Sequence, residues 1–375
     1  MHSHEIRRNI VSRRWKPESP AGAVRAGILL LLILAGCRSE SGSTTPAQTP
    51  AGPATVTLMT HDSFAVSEEV LRQFEQSENI TVAVLESGDA GAAVNKAVLT
   101  KEAPLADAFF GVDNTFLSRA LQEGIFEAYD APLLDSIPAE FRLDPENRAL
   151  PVDYGEVCIN YDKEWFSSHA VDVPQTLEEL AQPEYEGLLV VENPYTSSPG
   201  LAFLLATVAH FGEDGYPAYW QELKDNRVQV VDGWETAYYT NFSGSSGKGA
   251  QPMVVSYLTS PAFEMIYADP PRPEPPTASL TGPGMCFRQI EFAGILAGTS
   301  NREAAERLMD FLLSRPFQED IPLQMAMYPV DPEAKVPDAF LQFAAPSSRP
   351  ATLAPDEIAA HREEWMSRWK EVMLP

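Results

Sequence analysis

Met253-Val254-Val255-Ser256-Tyr257-Leu258-Thr259-Ser260-Pro261-Ala262-Phe263 reads as a buried strand, Met253 to Ser256, that stops abruptly at a polar turn. A short apolar run bounded by turn residues fits a strand covered on both faces. In open α/β sheets, ligands bind outside the carboxyl ends of such strands. That end here gathers the ring of Tyr257 with the hydroxyls of Ser256, Thr259 and Ser260. Upstream, the strand Val228 to Val231 leads into Asp232-Gly233-Trp234-Glu235-Thr236-Ala237-Tyr238-Tyr239. Aromatic faces with a few small donors suit a compact cationic or heteroaromatic ligand. The rings of Trp234, Tyr238 and Tyr257 equally suit a core with satisfied polar tips. The local pattern leaves both readings open.

The same logic extends outward. Gly187 to Val191 is a strand ending in Glu192-Asn193-Pro194-Tyr195-Thr196-Ser197-Ser198-Pro199-Gly200, with a helix from Leu201 to Phe211 directly after. Ser197 and Ser198 therefore stand at a helix start, either as ordinary caps or as an anion site. Nearer the N-terminus, Thr55 to Met59 alternates like a strand and delivers His61-Asp62-Ser63-Phe64. An amphipathic helix with acids in its first turn begins at Ser67. Ile80 to Leu85 is a second strand, followed by the turn Glu86-Ser-Gly-Asp89-Ala-Gly91 and a helix over Ala92 to Leu99. Asp107 to Val112 is a third, ending in Asp113-Asn114 before another helix from about Phe116. Strands that alternate with helices in this way predict a doubly wound α/β sheet. Neither GxGxxG nor GxxxxGK[ST] occurs, so no nucleotide fingerprint is present.

The body is long enough for two lobes. Tyr154-Gly155 separates the strand-like runs Ala149 to Asp153 and Glu156 to Tyr161, and reads as the first crossing between lobes, with glycine as a hinge. The expected division is a first α/β lobe over 54–153, a second over 154–284, and a return segment with C-terminal helices over 285–375 that packs across both. Met285 to Ile290 and Phe292 to Leu296 read as strands of that return. A long amphipathic helix from Pro355 places Ile358, Trp365 and Trp369 on one face.

The first 36 residues read as a targeting segment. Arg7, Arg8, Arg13, Arg14, Lys16 and Arg25 make a basic leader before the apolar run Ala26 to Ala35, which at about ten residues is shorter than the roughly 20 of a spanning helix. It ends in Leu34-Ala35-Gly36-Cys37, which resembles a bacterial lipobox with Cys37 as the lipidated first mature residue. Residues 37–53 are rich in Ser, Thr, Pro, Ala and Gly and read as a flexible tether. The expected location is the periplasm or the outer face of the cytoplasmic membrane. The formal net charge of −26 argues against nucleic acid and anionic lipid as partners. It suits a cationic ligand, and equally solubility. Cys158 and Cys286 either pair or remain buried thiols.

Several stretches, in order along nearly the whole body, carry a family likeness. They are Thr60-His61-Asp62-Ser63-Phe64-Ala65, Gly111-Val112-Asp113-Asn114, Asp153-Tyr154-Gly155 with Tyr161-Asp162-Lys163, and Thr196-Ser197-Ser198-Pro199-Gly200-Leu201. Gly233-Trp234-Glu235-Thr236-Ala237-Tyr238, Ser256 to Phe263 and Met327-Tyr328-Pro329-Val330 complete the set. The chain resembles the thiamine-binding periplasmic proteins of ABC transporters, within the type II substrate-binding class. The resemblance implies two α/β lobes closing on a ligand, no catalysis, no cofactor or metal, a monomer, and delivery of thiamine or thiamine phosphate to a membrane permease. It places Trp234 and Tyr257 on the ligand's rings, Ser197 and Ser198 at its hydroxyethyl or phosphate end, and Asp89 as a pocket carboxylate. His61, Asp62, Asp113, Tyr238 and Phe263 join them as ligand-binding candidates. Three positions depart from the family pattern. His61 and Phe263 stand for tyrosines, and Ala326 stands where a tryptophan stacks, leaving that ring face to another residue such as Met325.

Two rivals compete. A ferric-ion binder of the same fold would use Tyr238-Tyr239 with His61. An exported hydrolase would need a catalytic constellation, and neither HExxH nor GxSxG occurs.

Overall fold

The computed structural model describes residues 53–246, 248–347 and 349–374. The basic leader, Cys37 and nearly all of the tether lie outside them. Eleven strands of the described residues form one sheet: β1 (Ala54–Thr60), β2 (Ile80–Glu86), β3 (Ala108–Asp113), β4 (Phe126–Glu127), β5 (Leu150–Asp162), β6 (Leu189–Glu192), β7 (Gln229–Val231), β8 (Met253–Tyr257), β9 (Thr277–Leu280), β10 (Phe287–Leu296) and β11 (Tyr328–Pro329). The spatial order is β2-β1-β3-β10-β5-β8-β6-β7, with β4 on β10 and β9 and β11 on β5.

Two doubly wound halves meet at β5 and β10. On one side β1 lies parallel to β2 and β3, and on the other β6 lies parallel to β7 and β8. The two long strands between them run antiparallel to their neighbours. β10 pairs with β5 through its first half and with β3 through its second, while β5 turns from β10 to β8 at Val157. Both cross from one half to the other. The strands that end the parallel ladders are buried along their whole length, β3 and β6 in particular. Strands with both faces covered are mostly apolar, which is why these runs stand out in the sequence up to their closing acids, Asp113 and Glu192.

Helices follow the strands as expected. Glu68–Glu78 starts where the Ser67 hydroxyl accepts the Val70 N–H and ends at Asn79 in the left-handed region. The helix after β6 is longer than its apolar pattern suggested: it runs Ser198–Asp225 and breaks at Gly212, whose φ is +72°. The final helix Pro355–Met373 buries Ile358, Trp365 and Trp369. Trp369 packs edge-on to Trp220 of the second half, while Arg362 lies over the Phe116 ring of the first, 5.3 Å from its centroid. Among the described residues no helix is long and apolar enough to cross a membrane.

Two expectations need correction. Tyr154-Gly155 does not interrupt a pair of strands, because β5 is continuous from Leu150 to Asp162 and Gly155 sits in register opposite Gln289. The glycine answers to a close approach: a Cβ there would stand 3.0 Å from the Met327 side chain and 3.5 Å from the Tyr257 ring. The two return runs are likewise one strand, β10, whose register shifts beside Phe292. The pairing of the cysteines, open in the sequence, is resolved. Cys158 of β5 and Cys286, just before β10, form a buried disulfide across 128 residues. Closing so long a loop removes freedom from the unfolded chain, worth about 5 kcal/mol in the chain-entropy account.

Candidate functional site

A cleft opens between the halves at the carboxyl ends of the parallel strands. Each wall comes from a strand end. His61, Asp62 and Ser63 follow β1, and Asp89 caps the helix Ala90–Leu99 after β2. Ser198 opens the long helix after β6, Trp234 follows β7, and Tyr257 closes β8 with Ser260 just beyond. Glu291, in the middle of β10, contributes from the floor. The last wall is the turn Met325, Ala326 and Met327 ahead of β11.

Trp234 is the aromatic centre. Its ring stacks on Tyr238 at 5.1 Å and meets Tyr257 edge-on at 5.9 Å, while its indole N–H donates to Ser256 Oγ at 2.9 Å. Those contacts fix the ring and leave its remaining surface on the cleft. Met325 and Met327 line the cleft on either side of Ala326, which holds a left-handed φ of +60°. Thioethers are adaptable and polarisable partners for an aromatic ring. Gly155 gives Met327 its room, so Gly155→Ala is expected to push that side chain into the cleft and lower ligand affinity severalfold. A calorimetric titration of the variant against the parent checks this.

Asp89 joins the two halves. Its carboxylate accepts the Ala90 N–H at 2.6 Å as a helix cap, and from the opposite half it accepts the Trp234 N–H at 2.9 Å and the Ser198 N–H at 3.4 Å. The helix start read as an anion site thus holds a carboxylate of the chain itself. Alongside, the Ala92 N–H donates to the Thr196 carbonyl at 3.1 Å. This approach depends on Gly91, where a Cβ would lie 2.9 Å from the Thr196 carbonyl.

The site is strongly acidic. Three carboxylates line it, Asp62, Asp89 and Glu291, against a single base, His61. Asp113, Asp153 and Glu192 lie buried around it. Burial pushes the Asp89 carboxyl up to about 6, with the N–H of Trp234 opposing and Asp62 adding to the rise. Asp153 and Glu192 are raised well above the usual carboxylate range, first by burial and then by Glu291 and Asp89 respectively. Burial alone would lower His61, but Glu291, 3.6 Å away, together with Asp62 and Asp89 outweighs it and raises the imidazole. An acidic, partly dehydrated cleft with an aromatic wall is suited to an organic cation.

These raised acids have a consequence for stability. A carboxyl whose folded value lies above its unfolded one binds protons more tightly in the native state, so stability falls as pH rises through the window between the two values. For Asp89, at about 6, and the buried Glu264, pushed up to about 7 chiefly by burial, that window spans roughly pH 4 to 7. The raised His61 acts in the same direction. The ligand-free protein is therefore expected to melt at a higher temperature at pH 5.5 than at pH 7.5, each unit of upward shift being worth about 1.4 kcal/mol. A pH series of thermal unfolding would contradict this if the midpoint were flat or rose with pH.

Of the residues picked out in the sequence, His61, Asp62, Asp89, Ser198, Trp234 and Tyr257 come together on the cleft, and four do not line it. Ser197 is fully buried behind the helix start. Asp113 sits behind the wall, accepting from the Thr115 hydroxyl at 2.6 Å and from the Gln289 amide, whose same nitrogen also donates to Ser198 Oγ at 2.7 Å. Tyr238 backs Trp234 and donates its hydroxyl to Glu264 at 2.6 Å. Phe263 packs on Tyr267 and on a cluster with Ala326 and Tyr328. Sequence reading missed Glu291 and Met327. Glu291 carried a signal, a lone acid inside a strand that is otherwise apolar from Ile290 to Leu296. Met327 carried none beyond its place beside Ala326.

Comparison with known proteins adds the relatives. The family model described as bacterial extracellular solute-binding protein matches residues 103–345. The thiamine-binding periplasmic protein of Escherichia coli (strain K12) is 30% identical over 326 residues, 85% of this chain and 93% of that protein. A solved periplasmic thiamin binding protein superposes with a TM-score of 0.75 at 27% identity, covering 86% of this chain and 96% of its own. Iron-bound HitA from Pseudomonas aeruginosa shares the fold alone, with a TM-score of 0.69 at 17% identity over 86% of this chain and 100% of its own.

Proposed function

The chain belongs to the bacterial extracellular solute-binding proteins, and we propose that within that family it captures thiamine or thiamine phosphate between its halves and delivers it to an ABC permease. The observation that carries the proposal is Trp234 and Tyr257 facing an acid-lined cleft. Thiamine has a permanently cationic thiazolium, a flat aminopyrimidine and a polar tail. The thiazolium calls for carboxylates, here Asp89, Asp62 and Glu291. The flat rings call for aromatic and thioether faces, here Trp234, Tyr257, Met325 and Met327. The tail calls for donors such as Ser198 at a helix start. Because Asp89 already occupies the Ser198 N–H, the reading favours the unphosphorylated vitamin over its phosphate.

In this reading residues 54–153 and 154–284 are the two lobes and 285–375 the segment that braces both. The protein is a monomer that catalyses nothing, held at the membrane by a lipid on Cys37. Closure removes water from around the cation, and opening at the permease releases it. The ferric alternative needs the Tyr238 hydroxyl as a ligand, and that hydroxyl is engaged with Glu264 away from the cleft lining. Native mass spectrometry tests the proposal. Protein purified from thiamine-grown cells is expected to carry the added mass of thiamine or its phosphate, and to regain it after unfolding, dialysis and refolding with the vitamin. A protein that never takes up that mass contradicts it.

A further inference from the structure

The floor of the cleft holds a second acid behind the first. Glu291 of β10 and Asp153 of β5 are directly opposed in the antiparallel register, so their side chains project on the same face of the sheet. Glu291 is 4% exposed and lines the cleft, and Asp153 beneath it is fully buried. Neither carboxylate oxygen of Asp153 accepts a hydrogen bond from a donor group of the described residues. The nearest arginine on these strands, Arg288, is committed to Glu156 at 2.9 Å. The surroundings add further negative charge: Asp62 and Asp89 from the loops after β1 and β2, and Asp113 from the end of β3. Tyr257 approaches from β8, and His61 is the only base in the lining.

His61 stands 3.6 Å from Glu291 and faces that carboxyl alone, so Asp153 is left beside it without a donor or a cation of its own. Two adjacent buried carboxyls so placed resist ionising together, and a shared proton removes the repulsion. An organic cation entering the cleft supplies the missing positive charge. From this geometry we infer that Asp153 and Glu291 share one proton in the empty cleft and release it to solvent when the cation docks, so that capture exchanges a cation for a proton. The step is an acid ionisation: the Asp153 carboxyl proton, hydrogen-bonded to the Glu291 carboxylate, leaves for water, and no bond to the ligand forms. This inference rests on the thiamine reading for the identity of its cation. Its consequence is that affinity depends on pH although the thiazolium charge does not titrate.

Calorimetric titration of the ligand-free full chain with thiamine at pH 7, in buffers of different ionisation enthalpy, measures the exchange. The expected result is release of about one proton per thiamine bound, with affinity rising about tenfold per pH unit across that window. Asp153→Asn is expected to bind more weakly and to release none, and Glu291→Gln serves as a second variant should the first fail to fold. His61→Gln is expected to bind more weakly, since His61 lines the cleft beside Glu291, yet still to release about one proton per thiamine bound, the ratio that the carboxyl pair sets. Heats independent of the buffer, or release that survives Asp153→Asn and vanishes in His61→Gln, would overturn the inference. Infrared spectra of the ligand-free protein separate the two levels of the argument. A protonated-carboxyl stretch that Asp153→Asn removes is expected, and its absence sinks the shared proton even if thiamine binds. If the band is present and thiamine fails to bind, the thiamine reading falls, and the exchange falls with it.

Discussion

Replacing Asp89 with alanine is expected to weaken thiamine binding by about two to three orders of magnitude. Two losses combine. The cation loses a dehydrated carboxylate that lines the cleft, and removing one partner of a buried charge pair costs roughly 2–5 kcal/mol. The closed arrangement also loses the acceptor that the Trp234 and Ser198 N–H groups reach from the opposite half, and with it the hydrogen bonds that tie the halves together there. Asp89→Asn, which keeps an acceptor oxygen without the charge, is expected to fall between the parent and the alanine variant. Affinity should also decline in the parent as pH falls through about 6, where the Asp89 carboxyl takes up its proton. Calorimetry on all three proteins checks these outcomes. An Asp89→Ala protein that binds within about threefold of the parent would remove Asp89 from the site.

Trp234→Ala is expected to cost about a hundredfold in affinity. A desolvated cation over an indole contributes about 2 kcal/mol, and ring stacking adds about 1 kcal/mol, which together approach a factor of a hundred. The fold survives because Trp234 sits at the edge of a small cluster with Tyr238, Phe242 and Val254, apart from the main core. Stability should drop by an amount typical of a large-to-small change, about 3 kcal/mol, while the far-ultraviolet spectrum stays native. Trp234→Phe separates the two effects, since it keeps a ring for the cation but loses the bond to Ser256. It is expected to recover most of the affinity. Unchanged binding in Trp234→Ala would show that the aromatic wall is not where the ligand lies.

The local elements were legible in the sequence wherever one strand or helix is specified by its own burial. β3 and β6 are buried along their length and appear as apolar runs up to their closing acids, Asp113 and Glu192. The helix after β6 was marked by its Ser197-Ser198-Pro199 start. What was not legible depends on contacts between distant segments. Gly155 looks like a break because glycine usually interrupts a strand, yet its cause is Met327, 172 residues later, packing against it. The same holds for the site. Strand ends mark His61, Asp89, Ser198 and Tyr257 because the fold class puts ligands there. Asp113 and Tyr238 stand at equally plausible positions but turn to partners of their own, Gln289 and Glu264. Glu291 was hidden because it belongs to the middle of a crossing strand, which enters the cleft only once both halves are assembled.

The most direct test of the account is calorimetric titration of the refolded, ligand-free mature chain with thiamine, thiamine phosphate and the free aminopyrimidine. The account predicts saturable binding of thiamine at one site per chain, tighter than its phosphate and far tighter than the aminopyrimidine, which lacks the cation. No heat from thiamine or its phosphate, in a sample that instead develops colour with ferric salt, would contradict it.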